Sequence, residues 1–178
     1  SMLSDNSVGG TINIVTSSPD PMPSLATSLF FTSYGQGKST LSFSTGTLKG
    51  GWNISLLGSY AFGRGYVDQT DVSSWAYMLN ISKIINSKHS LLFTALGSPD
   101  RHEQRSARLT ADEVEEYGLR YNKNWGYRKD LEYSEKGEAF NLSKNFYHKP
   151  YATLHHFYRP SKVRELATSA YVSVGNGG

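Results

Sequence analysis

Five histidines, at positions 89, 102, 148, 155 and 156, are the residues best suited to move a proton or hold a metal. In extended backbone the adjacent His155 and His156 point to opposite faces, so they cannot share one ion. No His-Glu-x-x-His or comparable chelating spacing occurs, and the absence of cysteine removes thiolate sites, a cysteine nucleophile and any disulfide framework. The Gly-x-Ser-x-Gly turn that presents a nucleophilic serine is missing as well. Gly35-Gln36-Gly37-Lys38-Ser39-Thr40 ends like a phosphate-binding loop. Thr32 nevertheless stands where that pattern needs its first glycine, and a strand pattern follows instead of a helix, so a hairpin turn accounts for it. The carboxylates between Asp112 and Glu116 read as the solvated face of a short helix, not as an acid–base pair held at fixed separation. Asn53-Ile54-Ser55, Asn80-Ile81-Ser82 and Asn141-Leu142-Ser143 match the glycosylation pattern, but two of them fall inside predicted strands. No catalytic set, metal or cofactor is expected, and the expected function is binding or transport.

The elements that would position a binding site are strands. Of 178 residues, 38% are hydrophobic and only 19% charged, so much of the polarity comes from uncharged side chains, while 12 Tyr, 8 Phe, 3 Trp and 17 Gly suit strands joined by tight turns. Alternation with a period of two is clearest at Trp52-Asn53-Ile54-Ser55-Leu56-Leu57-Gly58-Ser59-Tyr60 and at Trp75-Ala76-Tyr77-Met78-Leu79-Asn80-Ile81-Ser82. With further strands at 25–34, 39–45, 89–97, 151–158 and 166–174, the sequence predicts an all-β antiparallel meander of about seven strands. The connections fall at 35–38, 46–51, 61–74, 86–88, 98–150 and 159–165, and from the second onward short and long alternate. Short turns on one side and long loops on the other are the layout of a transmembrane β-barrel. Trp52 at one strand end, with Tyr60, Trp75 and Tyr77 at the other, would then form two interfacial girdles around an aliphatic band. The long insert reads as free of strands, with one short helix capped by Thr110, boxed by Glu113 and stopped by Gly118.

No apolar run reaches the ~18 residues of a transmembrane helix, and no signal-peptide pattern opens the chain. Ser1-Met2 reads as a cloning remnant, so the missing leader says nothing about location. Lys and Arg outnumber Asp and Glu by 18 to 15, but they are scattered, and no nucleic-acid partner is expected. A soluble all-β carbohydrate-binding or adhesin-like module is the alternative, with the aromatic stretch Tyr121-Asn122-Lys123-Asn124-Trp125-Gly126-Tyr127 as its grip.

Residues Ser7-Val8-Gly9-Gly10-Thr11-Ile12-Asn13-Ile14-Val15-Thr16 resemble the segment that closes the plug domain of TonB-dependent outer-membrane receptors, Gly-Gly-x-Ile-Asn-Ile-x-Thr. Gly65-Tyr66-Val67-Asp68, the run from Gly97 to Arg105, Tyr121-Asn122-x-Asn124-Trp125-Gly126 and Tyr147-His148-Lys149-Pro150 are similar to motifs of the same family in Bacteroidetes-like bacteria. The resemblance implies that residues 1–20 end a plug and that 21–178 begin a barrel with a long extracellular loop at about 98–150. It also implies a larger parent receptor in the outer membrane of a Gram-negative bacterium, in contact with its lipid. Such a receptor is coupled to the TonB energy-transducing complex and imports a siderophore, vitamin, glycan or peptide. The TonB box and most of the plug are not in this sequence, so it is expected to be a fragment. Arg101, His102, Gln104 and Arg105, with Tyr121, Asn122 and Trp125, are the expected ligand or plug contacts.

Overall fold

The structure, a computed structural model, describes residues 20–127 and 139–178. The plug-like motif at 7–16 and the part of the insert at 128–138 lie outside the described residues. In chain order the elements are β1 (Pro23–Phe31), β2 (Gln36–Thr45), β3 (Trp52–Arg64), β4 (Asp71–Ile84), β5 (His89–Gly97), β6 (Asp100–Glu103), α1 (Ala111–Tyr117), β7 (Trp125–Tyr127), β8 (Ala139–Asn141), β9 (Lys144–His148), β10 (Tyr151–Ser161), β11 (Arg164–Ser173) and β12 (Asn176–Gly177).

Seven long strands form the antiparallel meander β1-β2-β3-β4-β5-β10-β11, and all seven correspond to strands expected from the alternation. Their register is continuous enough to trace single rows of side chains across the sheet. One row runs Leu25, Phe43, Leu56, Leu79, Ala95, Ala152, Val172. The neighbouring row, on the other face, runs Ser24, Ser44, Ser55, Asn80, Thr94, Thr153, Tyr171. Because side chains alternate with a period of two, the first row belongs to an apolar face and the second to a polar one.

Burial is inverted relative to a water-soluble sheet. Among the described residues no hydrophobic side chain is fully buried, and Leu25 and Phe31 on the apolar face are 72% and 69% exposed. The buried positions are polar: Ser44 at 6%, Asn53 at 5%, and with them Ser59, Thr94 and Thr153 on the polar face. That face satisfies its groups locally. Thr94 donates to Asn80 at 2.7 Å, and the Asn53 amide donates to the Asp20 carbonyl at 2.7 Å, tying the chain entering β1 to the polar side.

Aromatic residues gather at both ends of the apolar face. At the end where β3 runs on toward β4, Tyr60 lies 4.4 Å from Trp75 between ring centroids and stacks on Phe62. At the opposite end Lys83 sits over the Trp52 ring at 4.6 Å, while His89 stacks on Tyr158 and bonds to His156 at 3.0 Å.

The structure corrects four expectations about connections, one of them the turn expected at 159–165, which shrinks to 162–163 because β10 runs to Ser161 and β11 starts at Arg164. The first hairpin turns at 32–35, with Gly35 at φ +90 and the Thr32 N–H bonded to the Gln36 carbonyl at 2.8 Å, so residues 36–38 already belong to β2. The loop expected at 61–74 shrinks to 65–70, because β3 and β4 stay paired out to Arg64 and Asp71. The insert is not free of strands: β6 extends the sheet beside β4, β9 pairs with β6 and with the C-terminal β12, and β7 with β8 makes a separate antiparallel pair. These strands have two to five residues each, too few for period two to show in sequence.

Candidate binding surface

The insert folds back over the β3–β4 connection, and buried asparagines hold it there. Asn122, 1% exposed, donates to the Asp68 carbonyl at 2.9 Å and accepts the Asn124 N–H at 3.0 Å. Asn141, 3% exposed, donates to the carbonyls of Gln69 at 2.6 Å and Gln104 at 3.3 Å and accepts the Ser143 N–H at 2.8 Å. Each side chain copies a backbone turn, accepting from two residues on, while its NH2 reaches across to the β3–β4 turn. This explains Asn141-Leu142-Ser143 without a sugar. Arg105 completes the base of the insert by donating one guanidinium nitrogen to the Leu119 and Tyr121 carbonyls, at 2.9 and 2.8 Å.

The helix α1 stands as expected. Thr110 accepts the Glu113 N–H at 3.3 Å, and the Glu113 carboxylate accepts the Thr110 N–H at 2.8 Å. The Lys123 ammonium 2.5 Å from Glu113, together with the Thr110 N–H, holds that carboxyl below the usual carboxylate range. Hydrogen bonding to Glu116 raises the Tyr117 phenol.

The seven candidate residues do not converge on one point. Arg105, Tyr121 and Asn122 are brought together, and their polar groups are used within the insert or between it and the β3–β4 turn: Tyr121 lends its carbonyl to Arg105 and its ring lies tilted against Tyr117 at 4.6 Å, while Asn122 reaches Asp68. Gln104 joins through its backbone, donating to the Ser143 carbonyl at 3.0 Å and accepting from Asn141. Arg101 and His102 lie next to one another in β6 and so face opposite ways. His102 is on the side of Ser74 and Asp100, and Arg101 is on the side of Ser73 and Phe146. Both border a cleft of about 410 Å3 whose walls include Asp71, Lys144 and Phe146. Trp125 lines a different cleft, of about 280 Å3, with Arg64, Asp68, Asp71 and Arg120, and its ring meets Tyr127 edge-on at 5.4 Å. The sequence reading did not single out Arg120, which pairs with Asp68 at 3.2 Å and lies over Tyr66 at 5.9 Å.

The one hydroxyl–carboxylate–imidazole contact among these groups is centred on Asp100. Asp100 accepts from Ser74 and is bonded to His102 Nδ1 at 2.5 Å, so the carboxylate lies between hydroxyl and imidazole. A nucleophile–base relay needs the imidazole in the middle, and this order does not build one. Among the described residues no three His, Asp or Glu side chains are placed to hold a metal ion. Adjacent His155 and His156 diverge as expected, to Ser169 and His89 respectively. Comparison of the chain with family models, with curated proteins and with solved structures found no match.

Proposed function

We propose that this chain forms part of the wall and extracellular cap of an outer-membrane β-barrel receptor of the TonB-dependent kind, which binds a scarce ligand and imports it without breaking a bond. The observation that carries this reading is the inverted burial of the seven-stranded sheet. A protein in water forgoes about 1.5–3 kcal/mol for each Leu or Phe left outside a core, and a contiguous apolar face of this extent marks a surface that meets lipid or another protein. Hydrocarbon satisfies such a face, while the polar face suits the interior of a barrel. The aromatic clusters support the same placement. Eight residues separate Trp52 from Tyr60, roughly 27 Å along a strand, and a strand tilt of about 35–45° brings this to roughly 20 Å of height, near the apolar band of such barrels.

The likeness of residues 7–16 and of the later motifs to TonB-dependent receptors supplies the specific class, and with it the TonB complex as energy source. The cap offers two clefts at the end away from the short turns. A second reading, a soluble sugar-gripping module, draws on Trp125 and Tyr127 displayed together on the β7–β8 pair. Flotation separates the two. The full-length protein reconstituted with phospholipid vesicles should rise with them and resist carbonate extraction. A protein that stays monomeric and soluble without detergent would contradict the receptor reading.

A further inference from the structure

Charge is distributed unevenly between the two ends of the sheet. The end carrying the short turns comprises residues 20–24, 44–54, 81–91 and 156–168, as the strand register defines it. It holds six cations, Lys49, Lys83, Lys88, Arg159, Lys162 and Arg164, against two acids, Asp20 and Glu165. Elsewhere the described residues hold nine Lys and Arg against eight Asp and Glu, so most of the positive excess among the described residues sits on one rim. Lys49, Lys88, Arg159, Lys162 and Arg164 are exposed. Glu165 is already paired with Arg159, and among the described residues no other ion pair involves the rim. The cations also have a fixed relation to the apolar face: Lys83 reaches over the Trp52 ring and donates to the Gly50 carbonyl at 2.6 Å, and the stacked His89 and Tyr158 lie beside the β4–β5 and β10–β11 turns.

We infer that this rim is a docking surface for anionic phospholipid headgroups in the leaflet that the short turns meet. The inference rests on the barrel reading above and adds to it a lipid preference and a side. Amphipathic rings favour the headgroup level. Lysine and arginine just beyond those rings, with few acids among them, face the depth at which lipid phosphates lie, and each such cation contributes to attraction toward an anionic surface. The opposite rim has no such excess, because Arg64, Arg120, Lys123 and Lys144 there stand among Asp68, Asp71, Glu103 and Glu113. Snorkelling of a long basic side chain lets Lys83 cover the apolar surface at Trp52 while its charge stays at the phosphate level.

The test reconstitutes the full-length protein in vesicles of phosphatidylcholine containing a graded fraction of phosphatidylglycerol and measures lipid retained on gentle detergent extraction. Wild-type protein should retain phosphatidylglycerol in preference to phosphatidylcholine, and the preference should weaken in high salt. Replacing Lys49, Lys88, Lys162 and Arg164 by Gln should lower the preference stepwise, by about fivefold at most per cation removed. Arg108→Gln with Lys149→Gln, away from this rim, should leave it unchanged. Equal retention of the two lipids, or a preference untouched in the fourfold variant, would overturn the inference and favour an acidic soluble partner for the rim. If the protein fails to enter vesicles of either composition, the barrel reading falls with it; insertion without lipid preference overturns the rim alone.

Discussion

The seven-stranded wall and the cap built from residues 98–127 and 139–149 are joined covalently and by shared sheet edges, yet they are stabilised in opposite ways. The wall exposes its apolar side chains and covers small polar ones. The cap is held by buried amides, Asn122 and Asn141, by the Arg105 guanidinium on two carbonyls, and by the ion pairs Lys123–Glu113 and Lys144–Glu103. A polar scaffold of this kind works where water is at hand to solvate what is left over. An exposed wall of Leu, Ile and Phe works where it is not. On the proposed barrel reading the two regions would meet two solvents, with the aromatic rows Tyr60, Phe62 and Trp75 close to the boundary between them.

The comparison is broken most forcefully by a charge on the apolar face. Leu79→Arg, in the middle of the central strand β4, should destabilise the protein folded in vesicles by about 2–4 kcal/mol, read from denaturant titration. The same change at a water-exposed position would alter stability by less than about 0.5 kcal/mol, so a small effect removes lipid from the account. In the cap, Asn122→Ala deletes one reach across to Asp68 and one turn mimic, and should cost about 1–3 kcal/mol locally. Limited proteolysis should show the insert cut faster while the wall stays protected. Equal protection of the cap in this variant would show that Asn122 is not what holds it.

The wall was legible in the sequence because period two repeats over eight or nine residues in its central strands, from Trp52 to Tyr60 and from Trp75 to Ser82, and turn residues mark off the others. The polar face was legible from the same pattern. What it could not display was the upper extension of β3 and β4, where Gly63, Arg64, Asp71, Val72 and Ser73 carry no clean alternation and pairing is set by the partner strand. The short strands β6 and β9 lie some 40 residues apart and pair with one another, a contact that no local pattern announces. Single asparagines likewise carry no period. Asn141 read as part of a sequon, although the Asn-x-Ser and Asn-x-Asn spacings at 141–143 and 122–124 are turn signals that the structure uses. Of the seven candidate site residues, Arg105, Tyr121 and Asn122 have polar groups committed to bonds within the insert or from it to the β3–β4 turn. Arg101, His102 and Trp125 border clefts.

A smaller effect sharpens the same contrast through pH. Glu113 has a carboxyl held below its unfolded range, so its contribution to order in α1 is fully present above the ordinary carboxylate pKa and is lost as pH falls through the lowered, folded value. Amide exchange at residues 110–118 should rise in that acid range, and Glu113→Gln should flatten the response. The strands of the wall should not follow it. Cap and wall loosening together along one titration would mean that they form a single cooperative unit.

The central claim is tested by single cysteine substitutions along β4, at Ala76, Tyr77, Met78, Leu79, Asn80 and Ile81, each spin-labelled in vesicle-reconstituted full-length protein from which any other cysteine has been replaced; these 178 residues contain none. Collision with a lipid-soluble and with a water-soluble relaxation agent reports the solvent at each position. The account predicts strict alternation, with labels at 77, 79 and 81 reached by the lipid-soluble agent and those at 76, 78 and 80 shielded from it. Access of the water-soluble agent to 77, 79 and 81, or no alternation at all, would contradict it.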